Sequence, residues 1–122
     1  MGLDMYAYKT KAKPTKETDF KGDDNDVEIQ YWRKHPNLHG WMETLYYAKG
    51  GSKDSFNCVN LELTFEDLKH LYEDLKTNTL PETSGFFFGQ SSHEDMENDL
   101  NFVEEALKAI EEGEYVYYSS WW

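Results

Sequence analysis

The chain opens on MGLDMYAYK, in which Leu3, Met5 and Ala7 alternate with Asp4, Tyr6 and Tyr8. A period of two places the first three side chains on one face of a strand and the others on the opposite face. At the other end, Tyr115 to Trp122 reads YVYYSSWW, a strongly β-prone aromatic run. Strands at both extremes make the ends of this chain structural rather than loose. Whatever lies between them has to be arranged around a sheet.

The intervening elements follow from spacing. Val27, Ile29 and Tyr31 alternate with Glu28 and Gln30, which predicts a strand. Pro36 suits the first turn of a helix. Leu38, Trp41, Met42, Leu45 and Tyr46 then recur at three- and four-residue intervals, predicting an amphipathic helix over 36–48 that Gly50-Gly51 ends. Val59, Leu61 and Leu63 form a short strand. Thr64 with Asp67 resembles a capping box ahead of a helix with Leu68, Leu71, Tyr72 and Leu75 on one face. Phe86 to Phe88, inside SGFFFG, is a short strand candidate whose rings alternate between faces. Ser92 with Asp95 caps a third helix with the stripe Met96, Leu100, Val103, Leu107 and Ile110, stopped by Gly113. The order β-β-α-β-α-β-α-β predicts one α+β domain over 1–122. Its sheet is largely antiparallel, of about four or five short strands, with three helices packed mainly on one face. Residues 10–26 read as a long polar loop, partly mobile, crowded with Lys11, Lys13, Lys16 and Lys21.

Composition narrows the function classes. Aromatics make up 16% of the 122 residues, while the mean hydropathy is −0.85, so a few large rings have to build the core. A net charge of −12 argues against direct binding of nucleic acid and against anionic membrane surfaces. It suits a basic partner. No apolar run is long enough to span a bilayer, and the first residues lack a secretory signal pattern, so the cytoplasm is the expected compartment. Cys58 is the single cysteine, which rules out an internal disulfide and a multi-cysteine zinc cage. Glycine-rich phosphate loops, GxSxG and HExxH are all absent, which disfavours ATPases, Rossmann dehydrogenases and zinc proteases.

Three separated blocks, MGLDMYAYK, YWRKHPNLHGW and TSGFFFG followed by YYSSW, occur in order along the chain. Together they resemble a family of small bacteriophage and bacterial proteins beginning MGLDMY and carrying YWRK…H.W and SGFFFG blocks. The resemblance spans nearly the whole chain. It implies a phage or bacterial cytosolic protein, in the host cytoplasm if phage-encoded, and raises the expectation of a host protein as partner. It implies no reaction.

Candidate site residues come from the same blocks. Trp32 can stack, Arg33 can pair bidentately with an anion, Lys34 adds a point charge, and Trp41 offers a second indole. His39 is the candidate acid or base if there is catalysis. Gly85 and Gly89 permit close backbone approach while Phe87 lines a pocket. His35 and His39 share the i, i+4 spacing of metal-binding pairs, but no third ligand is marked out, so neither a metal nor a cofactor is expected. The carboxylates Glu94, Asp95, Glu97, Asp99, Glu104, Glu105, Glu111 and Glu112 form an acidic helix surface, ordinarily solvated and alternatively a mimic of a nucleic-acid backbone. Trp121-Trp122 could cover a sheet edge or make a homodimer contact. The expected function is a non-catalytic binding protein acting on a host protein or sequestering a small anionic, nucleotide-like ligand. The alternative is a small enzyme acting on a phosphorylated or nucleotide-like compound, with His39 as acid or base.

Overall fold

The computed structural model describes residues 3–22, 25–33, 35–52, 56, 59–77, 80 and 94–121. Lys34, Cys58, His93, Trp122 and the whole SGFFFG segment, with Gly85, Phe87 and Gly89, lie outside them.

Four strands form one antiparallel sheet: β1 (Asp4–Thr10), β2 (Val27–Arg33), β3 (Leu61–Leu63) and β4 (Tyr115–Trp121), in the order β2-β1-β4-β3. The two central strands are thus the first and the last in sequence. Met5 sits opposite Trp32 on one side and Ser120 on the other, so the period-two alternation runs in step across the sheet. Leu3, Met5 and Ala7 are fully buried, as are Leu61, Val116 and Tyr118 from the same face. One irregularity interrupts the β1–β2 pairing between Ala7 and Tyr8, where Ile29 is the extra residue on β2.

Three helices cover this inner face, α1 (Pro36–Ala48), α2 (Phe65–Lys76) and α3 (Glu94–Glu111). Helix α1 starts at Pro36 and buries Leu38, His39, Met42 and Tyr46. The Thr64–Asp67 capping box forms in both directions at α2, with the Asp67 amide donating to Thr64 Oγ1 at 3.3 Å and the Thr64 amide donating to Asp67 Oδ2 at 2.9 Å. Lys49, at the end of α1, donates to the Glu62 carbonyl at 2.6 Å and also to the Asp67 carboxylate, which ties α1, β3 and the start of α2 together. The architecture is therefore an α+β domain with its helices on one side of the sheet.

Helix α3 corrects one expectation. Its buried line is Asp99, Phe102, Val103, Ala106 and Ala109, whereas Leu100, Leu107 and Ile110 pack only partly against the core. Two alanines, Ala106 and Ala109, belong to that buried line, while Leu100 and Leu107 lie to one side of it.

The lysine-rich loop is pinned along the outer edge of β3. Thr18 forms an isolated bridge with Leu61, the Glu62 amide donates to the Glu17 carbonyl and the Asp19 amide to that of Asn60, both at 2.9 Å. Asp19 adopts a left-handed backbone (φ 58°), a conformation Asp tolerates better than most residues, and its carboxylate accepts the Tyr46 hydroxyl at 2.7 Å.

The end of α1 depends on two glycines. Gly50 takes φ 93° while its amide donates to Tyr47, and the Gly51 amide donates to the Tyr46 carbonyl at 2.9 Å, which together close the helix. Gly51 faces a second constraint, since a Cβ there would lie 2.3 Å from the buried Tyr46 ring. We expect Gly51→Ala to destabilise the fold by about 1–3 kcal/mol through overpacking. A urea midpoint unchanged from wild type would show that the ring can move aside.

Candidate functional site

Of the predicted site residues, Trp32, Arg33, His39 and Trp41 are among the described residues, and these four do not meet in one cavity. Strand alternation separates the neighbours Trp32 and Arg33. Trp32 faces Met5 and is buried, while Arg33 stands opposite Asp4 on the outer face and is exposed. The Trp32 indole packs edge-on against Phe102 at 4.9 Å and donates from Nε1 to Asp99 Oδ1 at 2.8 Å. His35, next to the start of α1, meets the other oxygen of that carboxylate, Nε2 to Oδ2 at 2.6 Å. An ionised carboxylate only accepts, so Nε2 is the protonated ring nitrogen in that contact. Trp32, His35 and Asp99 are all less than 5% exposed, at 4%, 3% and 1%. Asp99 therefore leaves the acidic helix surface to which the sequence assigned it. Its position three and four residues before Phe102 and Val103 puts it on the apolar face of α3, where an ionised group needs partners.

His39 lies one helical turn on and points elsewhere. It is fully buried, stacks on Phe56 at 5.0 Å, and brings Nδ1 to 2.6 Å from the Tyr118 hydroxyl. Burial lowers its pKa to about 4, so the ring is neutral at physiological pH. Burial likewise raises the Tyr118 phenol well above its ordinary value, and a phenol that keeps its proton can donate to Nδ1. The i, i+4 histidines thus serve two separate networks. Among the described residues no group of three His, Cys, Asp or Glu side chains is placed to hold a metal ion.

Trp41 is on a third surface. It is half-buried between α1 and α2 and donates from Nε1 to Asp74 at 2.8 Å, beside a shallow cleft that Leu45, His70 and Glu73 also line.

The opposite face of the sheet holds what the sequence reading passed over. Tyr6 and Tyr8 of β1, Tyr31 of β2 and Tyr117 of β4 all point outward by alternation. Their rings form a continuous row. Tyr31 lies 5.2 Å from Tyr6, Tyr6 lies 6.2 Å from Tyr8, and Tyr8 stacks on Tyr117 at 5.2 Å. Phe20, from the pinned loop, closes the row edge-on at 5.3 Å from Tyr117. Tyr31 is 43% exposed and Trp121, at the same end of the sheet as Asp4, is 62% exposed. The alternation in MGLDMYAYK was the signal for this row, since it assigned Tyr6 and Tyr8 to the face away from the core.

Carboxylates border the row. The Tyr31 hydroxyl donates to Asp4 Oδ1 at 2.7 Å and the Tyr117 hydroxyl to Asp26 Oδ2 at 2.5 Å, while Glu28 stands opposite Tyr8. The phenol pKa values follow from this. Tyr6 and Tyr8 are raised by burial and then by nearby carboxylates, Asp4 and Glu28 for the first and Glu28 and Asp26 for the second. Tyr31 is raised chiefly by its bond to Asp4, with Arg33 opposing.

Compared with protein-family models, curated proteins and solved structures, the chain shows no match. Among the described residues no helix is long and apolar enough to cross a membrane.

Proposed function

We propose that this is a non-catalytic binding protein that engages another protein, a host protein on the reading of a phage origin, through the outer face of its sheet. The observation that carries the reading is the row Tyr31–Tyr6–Tyr8–Tyr117, held by backbone pairing in a fixed spacing with its Tyr31 end open to solvent. Rigid tyrosines supply large contact area at low entropic cost, which is why they are enriched where proteins meet. The buried acid–base groups are tied up within the core, although His70 and Glu73 line the open cleft beside Trp41. His35, His39, Asp99 and Tyr118 are committed to buried contacts with one another or with Trp32, out of reach of a substrate in solution.

Photo-crosslinking in cells tests this. A photoreactive phenylalanine replacing Tyr31 should yield a defined crosslinked protein, while the same residue at the exposed Glu104 of α3 should not. Crosslinking from Glu104 with none from Tyr31 would refute the sheet-face reading.

A further inference from the structure

From the charge pattern around the row we infer that the partner presents an arginine- or lysine-bearing extended segment, whose cations lie over Tyr31, Tyr6 and Tyr8 between Asp4 and Glu28. This rests on the sheet-face reading and adds the chemistry of the occupant.

The argument is one of complementarity. An aromatic face carries negative charge density above its ring and attracts a guanidinium or ammonium. Here three such rings lie in sequence, with centroids 5.2 and 6.2 Å apart, and Asp4 and Glu28 stand on the same side of the sheet. The Tyr31 phenol is raised chiefly by its bond to Asp4, whereas Tyr6 and Tyr8 are raised first by burial and only then by the carboxylates Asp4, Glu28 and Asp26. A strand advances about 6.6–6.8 Å between side chains on one face, close to the 6.2 Å between Tyr6 and Tyr8 along β1, while Tyr31 stands beside Tyr6 across the strand pair. Arg33 is the one cation of β2 on this face, and Asp4 stands opposite it in register. Lys13 and Lys21 border the far end of the row, at a cleft of about 320 Å³ lined also by Phe20, Asp26 and Tyr117. Cations therefore border both ends of the row, which centres the partner's own cations on Tyr6 and Tyr8, between Asp4 and Glu28. Phosphate backbones would meet Asp4, Glu28 and Asp26, which disfavours single-stranded nucleic acid despite the stacking surface. A second copy of the chain would bring like carboxylates together, which disfavours self-docking.

The experiment is a binding titration of the full chain by amide NMR and tyrosine fluorescence, at low salt. The probes are four: an alternating Arg-Gly decapeptide, its Glu-Gly counterpart, a neutral Thr-Val decapeptide and a single-stranded oligonucleotide. The Arg-Gly peptide should bind alone, shift the amides of Tyr6, Tyr8 and Tyr31, and weaken as salt rises. Each Tyr→Ser change at Tyr6 or Tyr8 should weaken it by about 2- to 5-fold. Asp4→Asn with Glu28→Gln, which preserves every ring, should weaken it by a similar factor. Binding of the neutral or acidic peptide through the same tyrosines would overturn the cationic partner and leave the sheet-face reading standing. Binding of the oligonucleotide, or self-association seen as a concentration-dependent mass, would overturn both. So would failure of all four probes to shift any outer-face amide at millimolar concentration.

Discussion

Asp99→Ala is expected to cost about 3–5 kcal/mol of folding free energy, a large effect for a single polar substitution. The carboxylate accepts from Trp32 Nε1 and from His35 Nε2 where Asp99 is 1% exposed, so its removal strands two buried donors at once. Asn at this position retains one acceptor oxygen but turns an N–H toward the other donor, and should lose roughly half as much. Denaturant midpoints at constant m-value measure both, with Trp32 emission reporting the local change. The combined replacement Trp32→Phe, His35→Phe, Asp99→Leu removes every polar partner together and should recover most of the loss, since no buried donor is then left without an acceptor. A loss below about 1 kcal/mol for Asp99→Ala would mean that water reaches the site and takes the place of the carboxylate.

The second large effect is a dependence on pH. In the folded chain burial holds His39 at a pKa of about 4, against an ordinary 6.5. Between those values the unfolded chain binds a proton that the folded chain does not. The stability associated with the neutral ring is therefore complete above about pH 6.5. It declines as pH falls toward 4, by up to about 1.4 kcal/mol per unit and about 3 kcal/mol in all. His39→Gln keeps an acceptor for the Tyr118 hydroxyl but has no proton to gain, so its stability should vary less between about pH 7 and pH 4.5. Carboxylates titrate in both proteins, and the difference between the two curves isolates the imidazole. Parallel curves would show that His39 accepts its proton without leaving the fold.

Much of the architecture was legible because local rules were obeyed. Pro36 and Gly50 bound α1 where spacing placed it, and Thr64 with Asp67 caps α2 reciprocally. Alternation at β1 assigned Leu3, Met5 and Ala7 to the core. The site was less legible because contacts distant in sequence decide it. Trp32 and Asp99 are 67 residues apart, and His39 and Tyr118 are 79 apart. Reading Trp32-Arg33 as one functional block overlooked that adjacent residues in a strand face opposite ways. The stripe of α3 was displaced because Leu100 and Leu107 outweighed Ala106 and Ala109 in a count of hydrophobic size, although geometry favoured the alanines. The outer tyrosines were passed over because a polar face normally reads as solvent.

The strand order has a kinetic consequence. In β2-β1-β4-β3 the middle of the sheet joins residues near position 5 to residues near position 120. β1 and β2, and likewise β3 and β4, are consecutive strands that pair, but a long loop separates the first two and two helices lie between the others. Closing β1 on β4 means ordering a very large loop before those contacts repay it, which places this chain among slow-folding mixed domains. During synthesis β1 emerges with one backbone edge open, and that edge stays unpaired until residues 115–121 exist. Helix α1, with its own proline start and glycine stop, can form long before then. The nascent chain thus passes through an interval in which its helices are ready and its most aggregation-prone edge is not yet closed.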